Sequence, residues 1–164
     1  MRTLAVDCDP NPNLGESFGV DSRALSRFNR DGLRRAGETL EFARKPVLVP
    51  VAERLWLLGG PPSGTPLADA VARGIAGVLL APRFDVVVTD LGAGPELAGV
   101  AVGGVLNPAD VCVVLTDGTP VAQLTVERIE AACRRRGVET VRVVNERGRA
   151  EDVAASLAAR LLHD

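Results

Sequence analysis

The stretch LAVDCDPNPNLGESFGV, residues 4–20, joins an apolar run to two aspartates, Asp7 and Asp9, and to a segment rich in proline, asparagine and glycine. Such turn residues after an apolar run indicate that the chain leaves a buried strand and reverses direction. Charged groups beside a buried strand are costly unless they are hydrogen-bonded or bind a ligand. The stretch therefore predicts either a capped turn or a ligand-binding edge.

Short valine-rich runs alternate with longer segments of helical period along the chain. This alternation predicts an α/β fold with a mostly parallel sheet and helices on both faces. A chain of 164 residues suits one core, so a single domain over 1–164 is expected. The predicted strands are Thr3–Val6, Val47–Val51, Leu55–Leu58, Val86–Asp90, Val111–Thr116 and Thr140–Val144, and the predicted helices are Asn13–Phe18, Gly32–Arg44, Pro66–Leu80, Pro95–Val105, Val121–Arg136 and Glu151–Leu162.

Composition excludes several classes of partner. The formal charge is −2 and the one basic cluster is Arg134, Arg135 and Arg136, so the sequence offers no electrostatic footprint for nucleic acid. With one tryptophan, four phenylalanines and no tyrosine, it also offers few surfaces for base stacking and predicts an aliphatic core. No apolar run approaches the roughly 20 residues that cross a bilayer, and no signal peptide is evident. A soluble cytoplasmic protein without a membrane span is predicted.

Cysteine and histidine usage argues against several kinds of site. The three cysteines are far apart in sequence and odd in number, which does not favour a disulfide framework. Cys112 falls in a predicted strand and Cys133 on a predicted apolar helix face, so packing roles are expected, and strand alternation turns Cys8 away from the flanking aspartates. No metal site built from cysteines is predicted. The only histidine, His163, lies at the chain end, which disfavours Ser-His or Cys-His catalysis.

Polar side chains stand where the predicted strands end. Asp7 and Asp9 follow the first strand, Asp90 ends the run DVVVTD, and Asn145 follows TVRVV. In open parallel sheets, ligands bind beyond the carboxyl ends of the strands, so these groups are expected to converge on one crevice. The alternative is that each merely caps a turn or a helix, which aspartate and asparagine commonly do.

Four segments together resemble the MinD/ParA class of P-loop ATPases, and most closely the nickel-insertion (CooC-like) ATPases that mature carbon monoxide dehydrogenase. In residues 4–20, an apolar strand runs into Asp-x-Asp-Pro and then Asn-Leu, as in the first switch of that class. FDVVVTDLGAG, residues 84–94, resembles the second switch. ADVCVVLTDGTPVAQLTVERIEAACRRRGV, residues 109–138, and VRVVNERG, residues 141–148, resemble the strands and helix that follow. The resemblance spans almost the whole chain.

The resemblance implies a role for each strand-end residue in binding ATP or ADP with Mg²⁺. Asp9 is expected to act on the attacking water as the catalytic residue, and Asp7 to lie near magnesium and the phosphates. Asp90 is expected to hold Mg²⁺ through water, Gly94 to sense the γ-phosphate and Asn145 to contact adenine. Phosphoryl transfer depends mainly on positioning and on charge around a hard cation, which suits these residue types. The class further implies a dimer and a metalloenzyme client.

Two features depart from the class. Leu91, Gly92 and Ala93 stand where relatives often carry Thr-Pro-Pro, and no G-x-x-x-x-G-K-[ST] phosphate loop occurs, the only lysine being Lys45. We therefore expect a chain that is N-terminally truncated relative to the class, lacks the first strand and the Walker A loop, and does not hydrolyse ATP alone. Loss of an internal strand exposes the backbone groups of its neighbours, so such a chain is expected to be marginally stable, to close the gap by rearranging, or to borrow a strand from a partner.

Two other functions stay open. The chain is alternatively a non-catalytic regulatory or scaffolding paralogue that pairs with a complete ATPase as a heterodimer. A flavodoxin-like or other doubly wound domain that binds a different anion is the third possibility. Binding of ATP or ADP argues against this third possibility, whereas binding of a flavin favours it.

Overall fold

The computed structural model describes residues 1–9, 12–21, 48–59, 74, 77, 78, 80–92 and 109–145. The chain divides into two compact units, Met1–Pro108 and Ala109–Asp164. The prediction of a single domain stays a prediction. Gly94, the predicted helices Gly32–Arg44, Pro95–Val105 and Glu151–Leu162, and most of Pro66–Leu80 lie outside the described residues.

The first unit is built on a four-stranded sheet in the order β2-β3-β1-β4. The central strand β1 pairs in parallel with β3 on one side and with β4 on the other. All four strands occupy stretches that the sequence predicts as strands, and their bounds are Thr3–Asp7 for β1, Val49–Ala52 for β2, Leu55–Leu58 for β3 and Val86–Asp90 for β4.

The pair β2-β3 is antiparallel and departs from the parallel arrangement of the rest of this sheet. Glu53 and Arg54 alone separate the two strands, and parallel strands need a much longer crossover. Arg54 adopts φ 64°, and its carbonyl accepts a 2.8 Å hydrogen bond from Thr3 N–H. The register shifts between Pro50 and Ala52, as at a β-bulge, and Pro50 sits on an edge strand, where a missing N–H is tolerated.

The sheet of the first unit has an apolar cluster on each face. Leu4, Val6 and Cys8 point to one face, where they pack with Leu58 and Leu80. Leu80 has helical backbone, as does Gly77, where an added β-carbon would lie 2.8 Å from Val6 Cγ2. On the opposite face, Ala5 and Leu57 pack with Leu14 of the short helix α1, Leu14–Ser17. Helical segments thus cover β1 on both faces, as predicted.

The second unit contains a β-α-β element. Strand β5, Val111–Thr116, pairs in parallel with β6, Glu139–Val144, and helix α2, Pro120–Arg134, connects them. Thr119 caps the helix, since its side chain accepts a hydrogen bond from Ala122 N–H, and Pro120 stands at the first helical position. The predicted helix 121–136 and both predicted strands are confirmed to within two residues at each end.

The buried face of α2 differs from the predicted one. The sequence pattern predicts Val121, Leu124, Ile129 and Cys133 near one face, yet Val121 is 77% exposed and Leu124 is 59% exposed. Val126 and Cys133, seven residues apart, are buried instead. At 100° per residue Val121 and Leu124 fall on the far side of the helix from Val126, so the predicted face was wrong for these two residues.

Candidate functional site

The two acidic strand ends of the first unit lie side by side. Asp7 and Asp90 are Cα partners at the carboxyl ends of the parallel strands β1 and β4. One residue further on, Cys8 N–H donates a 2.8 Å hydrogen bond to the Asp90 carbonyl. The predicted convergence of Asp7 and Asp90 at one edge of the sheet is therefore observed.

The carboxylate of Asp7 fastens the loop that follows β1. It is 1% exposed, and its Oδ1 accepts a 3.1 Å hydrogen bond from Asp9 N–H. Its Oδ2 accepts a second 3.1 Å bond from Leu14 N–H, at the start of α1. The side chain of Asn13, at the N-cap position of this helix, makes no capping bond, so Asp7 supplies the acceptor from seven residues upstream. The capped-turn interpretation therefore holds for Asp7.

Asp90 is only partly buried and makes a similar turn. Its Oδ1 accepts a 3.0 Å hydrogen bond from Gly92 N–H, two residues on, the pattern of an Asx-turn. Among the described residues, no hydrogen bond to Asp90 Oδ2 is found. The capped-turn interpretation thus applies to one oxygen of Asp90 and leaves the second available for a ligand.

Asp9 is brought to the same edge by its contact with Gly92. A β-carbon built on Gly92 would lie 2.5 Å from both Cγ and Oδ2 of Asp9 and 2.9 Å from its Oδ1. Gly92 has φ +68°, a conformation that favours glycine. The turn after β4 therefore rests directly on the carboxylate of the loop after β1.

The other two predicted site residues, Asn145 and Gly94, lie outside the described residues of the first unit. Asn145 belongs to the second unit, where it follows β6, is exposed, and donates a 2.7 Å hydrogen bond from its N–H to the Thr116 carbonyl. Gly94 lies outside the described residues. The roles predicted for these two residues in binding adenine and the γ-phosphate stay predictions.

The donor chemistry of the edge suits a hard cation. The partly exposed carboxylate of Asp90 is the kind of oxygen ligand that Mg²⁺ prefers, usually with several waters retained. Within the described part of the chain, no group of three or more His, Cys, Asp or Glu is placed to hold a metal ion directly. Asp90, with one oxygen bonded to Gly92 N–H, fits a contact with such a cation through a retained water. The single lysine, Lys45, lies outside the described residues.

The three cysteines are buried free thiols, as predicted. Cys8 lies in the apolar cluster with Leu4 and Val6, away from the flanking aspartates. In the second unit, Cys112 on β5 meets Cys133 on α2. Burial raises the pKa of the Cys112 thiol to about 12, and the adjacent Cys133, which hydrogen-bonds to it, adds to the effect. A thiol held protonated in this way is a packing group and a poor nucleophile.

Two contacts in the structure are not predicted by the sequence pattern. Arg2 N–H donates a 2.6 Å hydrogen bond to Asp85 Oδ2, and this bond, more than the nearby Arg2 guanidinium, lowers the pKa of Asp85 below its ordinary value. The contact of Gly92 with Asp9 was also missed. A glycine two residues after a strand-ending aspartate is a signal for a turn of positive φ. That signal predicts the turn but not the carboxylate beneath it.

Comparisons with known proteins agree with the fold. No protein-family model matches the sequence, and neither does any curated protein. The structure is similar to that of a plasmid partition protein from Borrelia burgdorferi, with a TM-score of 0.60 and 11% sequence identity over 99% of this chain and 73% of that one. The chain has a P-loop NTPase-like α/β fold of the ParA/MinD type. At this identity the likeness concerns the fold alone, and it confirms the predicted fold class.

Within the described residues, no helix combines the length and the apolar character needed to cross a bilayer.

Proposed function

We propose that this chain is an ATP-binding switch protein of the MinD/ParA class, which binds ATP or ADP with Mg²⁺ at the carboxyl edge of β1 and β4. The observation that carries the proposal is the pairing of Asp7 with Asp90 at adjacent strand ends, with Asp9 packed against Gly92 of the same turn. Ligands of open α/β sheets bind at such an edge. The ParA-type fold supports the same placement.

Within this proposal each residue has a separate task. Asp90 contacts Mg²⁺ through water, and Asp9 orients the water that attacks the γ-phosphate. Asp7 holds the loop that carries Asp9, because both of its oxygens accept backbone hydrogen bonds. Gly94 meets the γ-phosphate and Asn145 reads the adenine edge.

We propose nucleotide binding rather than turnover as the activity of residues 1–164 alone. The sequence has no G-x-x-x-x-G-K-[ST] motif and a single lysine, Lys45, which Pro46 follows. A phosphate loop supplies backbone N–H groups and a lysine charge, which stabilise the triphosphate and its transition state. Without them, binding is expected to be weak and to depend strongly on Mg²⁺.

The client of the switch is proposed from the sequence. The Asp-x-Asp-Pro segment at residues 7–10 resembles that of the nickel-insertion ATPases, so maturation of a metallocentre is the proposed process. A homodimer is the proposed assembly, in keeping with a class that couples ATP binding to dimer closure.

The test is a calorimetric titration of the purified chain with ADP and with ATP, each with and without Mg²⁺. We expect Mg²⁺-dependent binding that Asp90→Asn weakens at least about tenfold, since a charge-assisted hydrogen bond to a metal-bound water is lost. Asp85→Asn is the matched control, because Asp85 precedes the opposite end of the same strand and should leave the affinity unchanged. Equal affinity in the Asp90→Asn and Asp85→Asn variants would contradict the proposed site. Binding of flavin mononucleotide in place of ATP and ADP would favour the flavodoxin-like alternative.

A second candidate function is a non-catalytic regulatory subunit that pairs with a complete ATPase. It is favoured by the outer edge of β4. Among the described strands, β4 pairs only with β1, and Val88 at its centre is 56% exposed. An edge strand with exposed apolar side chains is suited to receive a strand from a partner. Absence of nucleotide binding together with association in solution would favour this candidate over the first.

A further inference from the structure

Gly92 differs from the other described glycines of positive φ in what surrounds it. Gly19, Gly118 and Gly137 have φ between +68° and +76°, yet an added β-carbon at Gly19 or Gly137 would meet nothing within 4 Å. At Gly118 the nearest atom is Val144 Cγ1 at 3.8 Å, an ordinary contact. At Gly92 the nearest atoms are those of the Asp9 carboxyl group, at 2.5 Å. At position 92 the Asp9 carboxyl group excludes a β-carbon in addition to the backbone conformation, which the four glycines share.

We infer that Gly92 is a positioning residue for Asp9, so that the turn after β4 sets the place of the carboxylate carried by the loop after β1. This inference rests on the proposed function, in which Asp9 orients the attacking water. The carboxyl group cannot rotate into the volume that the Gly92 backbone fills. Conversely, the turn cannot approach β1 any further without displacing Asp9.

Two hydrogen bonds connect Asp90 to both of these loops. Gly92 N–H is bonded to Asp90 Oδ1 at 3.0 Å, and the Asp90 carbonyl accepts from Cys8 N–H at 2.8 Å, directly before Asp9. A ligand that draws the Asp90 carboxylate toward itself moves the Gly92 turn, and the turn moves against Asp9. Occupancy at Asp90 is thereby transmitted to Asp9 through packed atoms, as a small shift between neighbouring loops.

The contact is tested first without any ligand, by thermal unfolding of the full chain. Gly92→Ala and Gly19→Ala both place a β-carbon at φ +68°, so the two variants share the backbone strain. We expect a larger fall in Tm for Gly92→Ala. Asp9→Ala should restore much of that extra loss in the Gly92→Ala background, because the clashing atoms are gone, whereas the isosteric Asp9→Asn should not. Additive effects of Gly92→Ala and Asp9→Ala would overturn the inference.

A positional readout distinguishes positioning from stability alone. With selective ¹³C labelling of the aspartate carboxyl carbons, the Asp9 resonance should shift in Gly92→Ala and stay in place in Gly19→Ala. In a titration with Mg²⁺ and ADP, the wild-type resonance should move when Asp90 is occupied. If the wild-type chain binds no nucleotide, the proposed function is contradicted. If the effects of Gly92→Ala and Asp9→Ala are still non-additive in that case, the contact between Gly92 and Asp9 is supported. Nucleotide binding with an Asp9 resonance that does not respond would overturn the coupling.

Discussion

Asp7 is a buried carboxylate whose surroundings explain why an acid can follow a buried strand. It is 1% exposed, and each of its oxygens accepts a backbone N–H, from Asp9 and from Leu14. Hydrogen bonds of this kind compensate the cost of removing a charge from water. At the residue scale, Asp7 therefore shapes the loop that presents Asp9.

Removal of the Asp7 carboxylate should destabilise the chain. In Asp7→Ala, two partly buried N–H groups lose their acceptor, and we expect the free energy of unfolding to fall by about 2 kcal/mol, the low end of about 1–3 kcal/mol for each such group. Asp7→Asn keeps one carbonyl acceptor and should lose less. Urea denaturation measures the difference, with the exposed Asp110→Ala as control. Equal stability of the Asp7→Ala and Asp110→Ala variants would contradict the role given to Asp7.

Asp85 should stabilise the fold at neutral pH but not in strong acid. The backbone N–H of Arg2 lowers the pKa of Asp85 below its ordinary value of 3.8. A carboxyl group with a lowered pKa in the folded state contributes stability above its ordinary value, and the contribution disappears as the pH falls through the lowered value. We expect Asp85→Asn to lower Tm at pH 7 and to have little effect near pH 2. If Asp85→Asn lowers Tm by the same amount at pH 7 and near pH 2, the lowered pKa of Asp85 is contradicted.

At the scale of elements, the packing of β5 against α2 should weaken in alkaline solution. Burial raises the pKa of Cys112 to about 12 from an ordinary 9.0, so above pH 9 the unfolded chain releases a proton that the folded chain keeps. The stability contribution of this thiol is therefore present below pH 9 and is lost as the pH rises towards 12. The sequence has no tyrosine and one lysine, so few other groups titrate in this range.

The corresponding measurement is the free energy of unfolding at pH 8 and pH 10.5, by urea denaturation in a reducing buffer. The wild-type chain should lose more stability between the two values than Cys112→Ala, which has no thiol at this position. An identical pH dependence of the two chains would show that Cys112 stays accessible to water.

The sequence predicts the positions of the strands and helices better than it predicts which of them pair or pack together. Apolar runs that end in Asp7 and Asp90 locate β1 and β4, because an apolar run and a terminal acid are both local signals. The antiparallel pairing of β2 and β3 can also be predicted from the sequence, because the two residues between them, Glu53 and Arg54, are too few for a crossover. The contact of Gly92 with Asp9 cannot be predicted from the sequence. It depends on the register of β1 against β4, and no local pattern specifies which strands pair or at what height.

On the scale of the whole molecule, the outer edge of β4 is where association is expected. Val88, 56% exposed at the middle of that strand, should contribute to self-association or to pairing with a complete relative. Val88→Lys places a charge on the edge, a substitution that natural sheets use against edge pairing. Light scattering after size exclusion should report a lower mass for Val88→Lys than for the wild-type chain. An unchanged mass would contradict the use of this edge.

The acidic edge, and not the structural likeness, carries the proposed function. A TM-score of 0.60 at 11% identity describes how the chain is folded and not what it binds. The inference about Mg²⁺ and nucleotide depends on Asp7, Asp9 and Asp90, which the register of β1 and β4 gathers at one edge. The central claim is that this edge is a magnesium site.

Paramagnetic broadening by Mn²⁺, a hard cation with ligand preferences similar to those of Mg²⁺, tests that claim most directly. In a ¹⁵N spectrum of the full chain with ADP, low Mn²⁺ should broaden the amide signals of residues 7–9 and 90–92 before others, and Asp90→Asn should remove the effect. Broadening centred elsewhere in the chain, or broadening at these residues that persists in Asp90→Asn, would contradict the account.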